Sequence, residues 1–495
     1  MKLSKRSDLA IIVSATALLL VPCVWLPQIE SLDLCSHIYN AWLARLITEQ
    51  HIPGLVIVRQ STNILFDNLL TLSMTAFGPF WAQRILVSTS AVLFFWSSFV
   101  LIAALSNRRP WFLLPCLAVL SYGRIFHYGF FNFYVALAFG FLALSLLVTR
   151  SRWWQVLFVL LLALSWIAHP LPALLTLAAA AYISIVRNAP RRIQLAALGG
   201  SAFLVLVVGV YERIRFPRSV FPHPNLPREF LIISGWDQVL AFNRPFSVLS
   251  YRTVELGILF VFVLLLIQEL RKEKDFVFSL PVQLYVLACF TNFVLPDREL
   301  FFPGVFQHPL GFISERFSLL AAILGCAVVA RSNPRPWQRG LLLLLAGVFF
   351  AVAYQDERAL VQLEAKVDQL VSPLPPMQRV AAMLHYPGIE DGFTEDILDR
   401  ACLGRCYSYG NYEAPTLQFR IRAQPTNSIV LADIADSNNL ARGTYRVQPR
   451  DLPLYQVYPC GPRITDLCIR ELKAGELNGT VPGQVPSPTD SMSVQ

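Results

Sequence analysis

Long uncharged apolar runs dominate the chain, at residues 9–29, 85–107, 125–149, 153–186, 193–211 and 277–296. About 20 apolar residues are enough for a helix to cross the hydrocarbon core of a bilayer. The run 153–186 is too long for one crossing, and His169-Pro170 interrupts it, which predicts a hairpin of two helices. Weaker apolar segments at 111–122, 250–269, 313–331 and 338–355 are typical of helices packed inside a bundle. The pattern therefore predicts an all-α polytopic membrane protein with about eleven transmembrane helices.

Basic residues between the apolar runs predict how the helices are oriented. They form six clusters: Lys2–Arg6, Arg108-Arg109, Arg150–Arg152, Arg187–Arg192, Arg271–Lys274 and Arg331–Arg339. When all six are assigned to the cytoplasm, consecutive clusters are separated by an even number of crossings, as the positive-inside rule requires. This predicts a multi-pass protein of the plasma (inner) membrane, with a cytoplasmic N-terminus and an extracytoplasmic C-terminus. With so many apolar runs after it, the first is predicted to be an uncleaved helix rather than a signal peptide.

The amino-acid composition also supports a membrane protein. The mean hydropathy is +0.51 and only 15% of residues are charged, whereas charged residues make up about a quarter of a soluble protein. The net charge of +9 could indicate nucleic-acid binding, but its placement in the loops favours membrane orientation instead.

The predicted domains are a transmembrane domain, 1–355, and a small extracytoplasmic α+β or irregular domain, 356–474. Residues 475–495 are rich in Gly, Pro and Ser and are predicted to be disordered. Four cysteines lie in the C-terminal region, at Cys402, Cys406, Cys460 and Cys468. An even number in an oxidising compartment favours two disulfides, and a zinc site is the alternative.

The extracytoplasmic segment 28–83 is the first candidate for chemistry. Leu34, Ile38, Trp42 and Leu46 share one helical face, which predicts helices that lie at the membrane interface. Asp33 and His37 are one helical turn apart, and a carboxylate beside an imidazole suits deprotonation of a hydroxyl. The alternative interpretation is that Asp33 is only the N-cap of the helix.

The order of features resembles the GT-C superfamily of membrane glycosyltransferases over residues 8–150. The matching features are a first helix, Asp33, the surface helix Ser36–Gln50, then Phe77-Gly78, Trp81, Arg84 and the apolar run 84–105. The resemblance implies that Asp33 is the general base or positions the acceptor, with His37 beside it. It also implies a sugar donor linked to polyprenyl phosphate.

A second outside loop, 122–134, contributes Arg124, His127 and Asn132, and we take His127 and Asn132 as candidate substrate-binding residues. Its aromatic residues are typical of an interfacial belt. The loop has no carboxylate, whereas the superfamily members that use metal tend to have acidic residues there. A divalent metal is therefore possible but not supported, and no cofactor is predicted with certainty.

Outward arginines are unusual in short extracytoplasmic loops and suggest an anionic ligand. The candidates for binding the phosphate of the donor are Arg213, Arg215, Arg218, Arg298 and Arg316. The alternatives are contacts with lipid headgroups and ion pairs with Asp297, Glu299 and Glu315. His169 is interpreted as a turn residue beside Pro170.

These observations together predict a glycosyltransferase that moves a sugar to a glycan, lipid or protein acceptor at the outer face of the membrane. The alternatives are an envelope-polymer ligase or polymerase, a lipid or solute transporter, and a scaffold that acts through its C-terminal domain. The chain has no GxxxxGK[ST], HExxH or GxSxG motif, which argues against the corresponding nucleotide-hydrolysing, zinc-protease and serine-hydrolase classes.

Overall fold

The computed structural model describes residues 5–150, 152–216, 226–242, 245–273, 275–297, 300–301, 309–384, 394 and 396–479. The chain divides into two compact units. The helical unit comprises Met1–Asp33 and Gln60–Val361, and the C-terminal unit comprises Leu34–Arg59 and Gln362–Gln495. The residues at 34–59, which we expected to group with the transmembrane domain, therefore group with the C-terminal region.

Helices account for most of the described chain. They are α1 Lys5–Leu20, α2 Leu32–Thr48, α3 Leu65–Ser106, α4 Leu114–Ser121, α5 Arg124–His127, α6 Phe131–Thr149, α7 Trp154–Ala168, α8 Pro170–Val186, α9 Arg191–Arg215, α10 Leu226–Ser234, α11 Pro245–Lys272, α12 Leu280–Val294, α13 Ile313–Val329, α14 Pro336–Val371, α15 Ile397–Ala401, α16 Glu413–Thr416 and α17 Ile434–Ala441. Every apolar run in the sequence overlaps one or two of these helices, and His169 separates α7 from α8 as expected.

Several of these helices are suited to cross a membrane. Within the described residues, five are long and apolar enough: Leu65–Ser106, Phe131–Thr149, Arg191–Arg215, Ser247–Lys272 and Pro336–Val371. Shorter apolar helices lie at Ser7–Cys23, Trp111–His127, Trp154–Ala168, Pro170–Val186 and Leu280–Val294. By helix length and composition, the chain is thus a membrane protein. Five of the described helices are long and apolar enough to cross a membrane, so the eleven expected spans are not confirmed.

Helix α3 contains a kink that divides it into two parts. Gly78 has φ of 74°, a left-handed conformation that favours glycine, and Pro79 follows it. The part before the kink lies in the segment 28–83, and the part after it covers most of the run 85–107. Arg84 lies in the first turns after the kink.

Contacts join four of the six basic clusters and the start of α1 at one end of the helical unit, which we call the basic end. Arg109 pairs with Asp8, and Arg191 pairs with Asp275. Arg108 donates to the carbonyl of Arg331 at 2.5 Å, and Arg331 lies 3.8 Å from Glu273. These contacts join loops that the sequence assigns to one side of the membrane.

The C-terminal unit is an α+β structure with two small sheets. Strands β2 Gln378–Ala382, β3 Cys406–Ser408, β5 Leu454–Pro459 and β6 Leu467–Glu471 form one sheet in the order β3-β2-β5-β6. The β2 strand is parallel to both β3 and β5, and β6 is antiparallel to β5. Strand β1 Leu55–Ile57 pairs antiparallel with β4 Ile421–Ala423. The expected disulfides are confirmed as Cys402–Cys406 and Cys460–Cys468.

Helix α2 is packed within protein rather than laid along a membrane surface, which differs from our expectation. Leu34 and Ile38 are 0% and 1% exposed. The backbone N–H of Ser408 donates to the Tyr39 hydroxyl at 2.9 Å, and the Trp42 ring lies 6.3 Å from that of Tyr407. The apolar face that suggested a lipid contact is used by the C-terminal unit.

The segment expected to be disordered, 475–495, is described only as far as Gly479. Glu476 accepts from the backbone of Val447 at 2.9 Å, and the Asn478 side chain accepts from the backbone of Tyr445 at 2.9 Å. The first residues of the segment therefore belong to the fold, and 480–495 lie outside the described residues.

Asp451 organises the core of the C-terminal unit, and its removal tests that role. Its buried carboxylate accepts from the hydroxyls of Tyr409 and Tyr445 at 2.6 and 2.7 Å and from the backbone of Gln448 at 2.7 Å. Burial, together with this carboxylate, raises the pKa of both tyrosines, so both remain donors. We expect Asp451→Ala to lower the free energy of unfolding of this unit by about 2 kcal/mol or more, because three donors lose their acceptor.

The measurement is hydrogen exchange of the full-length protein in detergent, read in peptides from Gln378–Glu471. Asp368→Ala is the matched control, because Asp368 is half exposed and its ion pair with Arg405 lies at the surface. Equal protection in the two variants would contradict the role given to Asp451.

Candidate functional site

The loops at the end of the helical unit away from the basic clusters come together, and we call this end the site end. The backbone N–H of Asp33 donates to the carbonyl of Tyr128 at 3.3 Å. The Gln238 side chain accepts from Ile125 N at 3.3 Å and donates to the carbonyl of Glu315 at 3.1 Å. The segments 28–83 and 122–134, which the sequence assigned to the outside, thereby join Gln238 and the start of α13.

Asp33 is the second residue of α2, so it is inside the helix and not at its N-cap position. It is half-buried. The segment before it begins with the short 3-10 helix Val21–Cys23 and is held by Arg84. The Arg84 guanidinium donates to the carbonyls of Cys23, Leu26 and Pro27 at 2.7, 2.8 and 2.8 Å. Ser31 adds a bond from its hydroxyl to the carbonyl of Phe126 at 2.7 Å. The backbone that carries Asp33 is thus fixed from both α3 and the loop 122–134.

Arg316 provides positive charge near Asp33. Its guanidinium interacts electrostatically with the carboxylates of Asp33 and Glu315. It lies 4.3 Å from the centroid of the Phe130 ring and 5.0 Å from that of Phe133, and its Nε donates to the carbonyl of Gly311 at 3.2 Å. Stacking on aromatic faces and one backbone bond restrict its orientation.

His169 also belongs to this site, whereas the sequence suggested only a turn residue. It is 3% exposed and is the N-cap of α8. Its Nε2 lies 3.3 Å from Nη1 of Arg316, and the Phe133 ring packs edge-on against it at 5.6 Å. The histidine therefore has two roles, one in the turn and one at the guanidinium.

A second charged cluster lies at the site end and includes Arg124 and Asp237. The Arg124 guanidinium donates to the Tyr128 hydroxyl and interacts electrostatically with Asp237 and Glu315. The Ser318 hydroxyl donates to the Asp237 carboxylate. Burial raises the pKa of Asp237 to about 7, a shift that Arg124 and Ser318 oppose and that Glu315 and Glu255 support.

His127 and Asn132 lie in the interior, where each has structural partners. His127 is fully buried, with Nδ1 3.2 Å from the carbonyl of Glu30 and Nε2 3.9 Å from the Glu357 carboxylate. The Asn132 side chain donates to Asp67 at 2.7 Å and accepts from the backbone of Phe66 at 2.8 Å, at the start of α3. Their contacts hold helices together, and the expectation that they bind substrate gains no support from them.

The structure describes three of the five arginines proposed to bind phosphate, namely Arg213, Arg215 and Arg316. Arg213 and Arg215 are exposed near the end of α9. Arg215 donates to the Tyr211 hydroxyl at 3.0 Å, and its guanidinium lies 5.0 Å from the centroid of the Phe301 ring. Arg218 and Arg298 lie outside the described residues.

His37 falls in the C-terminal unit, whereas Asp33 falls in the helical unit. Within its own unit, a ring nitrogen of His37 and a carboxylate oxygen of Glu413 lie within 4.8 Å of each other. Both side chains are buried.

Asp237, Glu357 and the contact of His169 with Arg316 were missed from the sequence. A signal was present for Asp237 and Glu357, because an ionisable residue next to an apolar helix is expensive unless it has a partner. The contact of His169 joins α8 to α13, and no local pattern reports such a distant pairing.

The site end combines a half-buried carboxylate, a guanidinium held by aromatic rings, and an imidazole. A carboxylate can accept a proton from a hydroxyl, and a guanidinium can bind phosphate oxygens. No protein-family model, no curated protein and no solved structure matches this chain.

The contacts of Arg84 lead to a test of how the backbone before Asp33 is held. We expect Arg84→Lys to increase hydrogen exchange in residues 21–31, because one ammonium cannot reach all three carbonyls that the guanidinium bridges. The cost of the lost bonds is about 2 kcal/mol. Arg45→Lys is the control, since Arg45 is exposed and its pair with Glu49, at 2.8 Å, lies at the surface. Unchanged exchange in Arg84→Lys would contradict this role.

Asp237 leads to a prediction about pH. An unfolded Asp has a pKa of about 3.9, whereas the folded pKa is about 7. Between these values the folded protein binds more protons than the unfolded chain, so stability falls as pH rises from about 4 to about 7. We expect the Asp237→Asn variant to lose less stability than the wild type over this pH interval, because its amide does not ionise. The amide oxygen can still accept from the Ser318 hydroxyl. Thermal unfolding of both proteins in detergent across this range measures the difference, and parallel curves would refute it.

Proposed function

We propose that this protein is a membrane glycosyltransferase that moves a hexosyl or pentosyl group from a polyprenyl-phosphate-linked donor to an acceptor at the outer face of the plasma membrane. In this proposal all eleven apolar helices cross the bilayer and the site end faces outside. The N-terminus is then cytoplasmic and the C-terminus extracytoplasmic. The meeting of the basic clusters at the other end supports this orientation, because basic loops stay in the cytoplasm.

The observation that carries the proposal is the electrostatic interaction of Asp33 with Arg316 at one end of an apolar helical unit. The two side chains interact electrostatically, and both belong to the helical unit. Asp33 can accept a proton and Arg316 can bind an anion, and a transfer from a phosphate-linked donor needs both functions. A lipid carrier suits the setting, because its tail shares the bilayer with the enzyme and only the headgroup has to enter the site.

The proposed reaction is a single displacement. The acceptor oxygen attacks the anomeric carbon as Asp33 accepts the hydroxyl proton. The bond from the anomeric carbon to the phosphate oxygen breaks, and its electron pair leaves with the phosphate, which becomes polyprenyl phosphate. Negative charge grows on that oxygen in the transition state, where the fixed guanidinium of Arg316 contributes most. The anomeric configuration is inverted.

His37 and the C-terminal unit have subsidiary roles in this proposal. His37 is four residues after Asp33 in helix α2, so it lies one turn along and is proposed to orient the acceptor or share its proton. The C-terminal unit, stapled by two disulfides, is proposed to bind the glycan, lipid or protein acceptor. No cofactor enters the proposed reaction.

The test is a transfer assay with purified protein in nanodiscs, which offers labelled polyprenyl-phosphate sugars to extracted envelope material. We expect Asp33→Asn to lower kcat by about 100-fold or more, because the amide cannot accept the proton. The donor KM should change little, since Arg316 is intact. Arg316→Lys should instead raise the donor KM and lower kcat, because a point charge replaces the stacked fork.

Asp275→Asn is the matched control. It removes the same charge at the basic end, where Asp275 is exposed and pairs with Arg191. Equal transfer by wild type and Asp33→Asn would remove Asp33 from the reaction. Products that carry many sugar units from one donor chain would favour the envelope-polymer polymerase instead.

A transporter of lipids or solutes is the second candidate, and the interior of the helical unit favours it over a scaffold. His127 and Glu357 are both buried, and Glu357 also accepts from Trp25 at 2.7 Å. Ionisable side chains inside a membrane protein often mark a pathway. Movement of a fluorescent polyprenyl phosphate across liposomes by a protein inactive in transfer would support this candidate.

A further inference from the structure

The turn that leads into α13 contains a strained aromatic residue. Phe312, the N-cap of α13, has φ of 53° and ψ of 44°, which is the left-handed region. An N-cap residue usually has an extended backbone, and a side chain with a Cβ atom is disfavoured in the left-handed region. Within the described part of the helical unit, the other non-glycine residues with this backbone are polar, namely Asn63, Asn107 and Arg150. Phenylalanine in this conformation costs free energy, so its side chain needs an explanation.

The start of α13 does not require a phenyl ring. Asp297 satisfies the first donors of the helix: its carbonyl accepts from the backbone N–H of Ile313 at 3.0 Å, and its carboxylate accepts from that of Ser314 at 3.4 Å. The Phe312 side chain makes no cap bond. Glycine adopts the left-handed backbone at lower cost. Capping of the helix therefore does not explain why residue 312 is phenylalanine.

The backbone of this turn orients Arg316. The carbonyl of Gly311 accepts from Arg316 Nε, and the carbonyl of Phe312 accepts from the backbone N–H of Arg316, both at 3.2 Å. These two acceptors are main-chain atoms, so glycine at position 312 would preserve them. The turn explains the left-handed backbone, whereas the ring must be explained by what the side chain contacts.

The Phe312 ring lies beside both groups that are proposed to act in the transfer. It is 5.3 Å from the Phe130 ring and 5.7 Å from the Tyr128 ring. The Arg316 guanidinium lies 4.3 Å from the centroid of Phe130, and the carbonyl of Tyr128 accepts from the backbone N–H of Asp33. All five residues belong to the helical unit. An apolar surface thus adjoins the guanidinium and the carboxylate.

Packing within the protein uses only part of this side chain. Phe312 is 51% exposed although two aromatic rings flank it. Burial of apolar surface stabilises a side chain and can offset a strained backbone. Here about half of that surface is still available for burial, and a ligand with an apolar part can cover it.

We infer that Phe312 is a substrate-binding residue that contacts the prenyl chain of the donor next to its phosphate. The inference rests on the proposed function, in which Arg316 binds that phosphate. A polyprenyl phosphate joins an anionic head directly to an apolar chain. The guanidinium of Arg316 and the half-exposed ring of Phe312, both against Phe130, present complementary cationic and apolar surfaces side by side. The phenyl ring has no polar atom for a sugar hydroxyl, which favours the chain as its ligand.

Two substitutions separate the ring from the backbone of the turn. Phe312→Gly removes the ring and suits the left-handed backbone. Relief of strain and loss of the contacts with Tyr128 and Phe130 oppose each other, so the unfolding temperature should change little. Phe312→Leu keeps an apolar side chain of similar reach but has no aromatic face. The first variant tests the apolar contact, and the second tests whether an aromatic face is needed.

Binding is measured on the full-length protein in phosphatidylcholine nanodiscs. The probes are undecaprenyl phosphate and methyl phosphate, which presents a phosphate monoester without the chain. We expect Phe312→Gly to weaken binding of undecaprenyl phosphate by about tenfold, as loss of a partly buried phenyl surface implies, and to leave binding of methyl phosphate unchanged. Phe312→Leu should stay within about threefold of wild type for both probes. A wild type that binds undecaprenyl phosphate but not methyl phosphate also supports a contribution from the chain.

Two controls match the two changes made by Phe312→Gly. Phe203→Ala removes a ring that is 67% exposed on α9. Asn107→Gly relaxes a left-handed residue with φ of 54° that lies next to Arg108 of the basic end. Both variants should bind undecaprenyl phosphate as the wild type does. A loss of affinity in either control as large as that in Phe312→Gly would overturn the inference.

The two probes distinguish a contact with the chain from an effect on Arg316. Unaltered affinity of Phe312→Gly for undecaprenyl phosphate would overturn the inference, and so would absence of binding by the wild type. An equal loss for both probes would overturn it as well, because it would mean that residue 312 acts only through the phosphate site. A sugar-linked donor that binds more weakly to both Phe312→Gly and Phe312→Leu, with undecaprenyl phosphate unaffected, would assign the ring to the sugar instead.

The failure of this inference can be told from failure of the proposed function. The binding arms need no transfer, so a chain that binds undecaprenyl phosphate through Phe312 but transfers no sugar supports the contact and refutes the enzyme. A chain that transfers sugar with an unaltered donor KM in Phe312→Gly refutes the contact and keeps the enzyme.

Discussion

The contact on which the site end depends is the one between the Arg84 guanidinium and the three carbonyls before Asp33. Between α1 and α2 the chain is not a regular helix, and its carbonyls point into protein, where unpaired polar groups are costly. One planar side chain satisfies three of them. Because Arg84 follows the kink at Gly78, the position of Asp33 depends on the geometry of α3.

The helices could be predicted from the sequence because each is a long apolar run that ends in charge, Pro or Gly. The two disulfides were predicted because four cysteines lie in the C-terminal region, which the sequence assigned to an oxidising compartment. The assignment of α2 to the C-terminal unit could not be predicted, because a helix with one apolar face packs equally well on lipid or on protein. The pairing of Leu55 with Ala423 joins residues far apart in the chain, and no local pattern specifies it.

Only part of the candidate site was predicted from the sequence. Asp33 stood out because it follows an apolar run, and Arg316 because it is an arginine beside an apolar helix. His169 looked like a turn residue, and its cap contact with Leu171 agrees with that. Its other ring nitrogen, Nε2, contacts Arg316 on α13, which is far along the chain. A side chain with two polar atoms can contact its own helix with one and a distant segment with the other.

The C-terminal unit is discontinuous, and this affects the order in which the protein is made. Leu34–Arg59 leaves the ribosome long before Gln362–Gln495, with residues 60–361 in between. At roughly 5–20 residues per second, synthesis of the intervening chain takes roughly 15–60 seconds. During that time β1 has no partner strand, and the apolar face of α2 has no core to cover it. A nascent chain in this state exposes the kind of surface that chaperones and membrane proteases recognise, so the last segment synthesised also ends the period of greatest vulnerability.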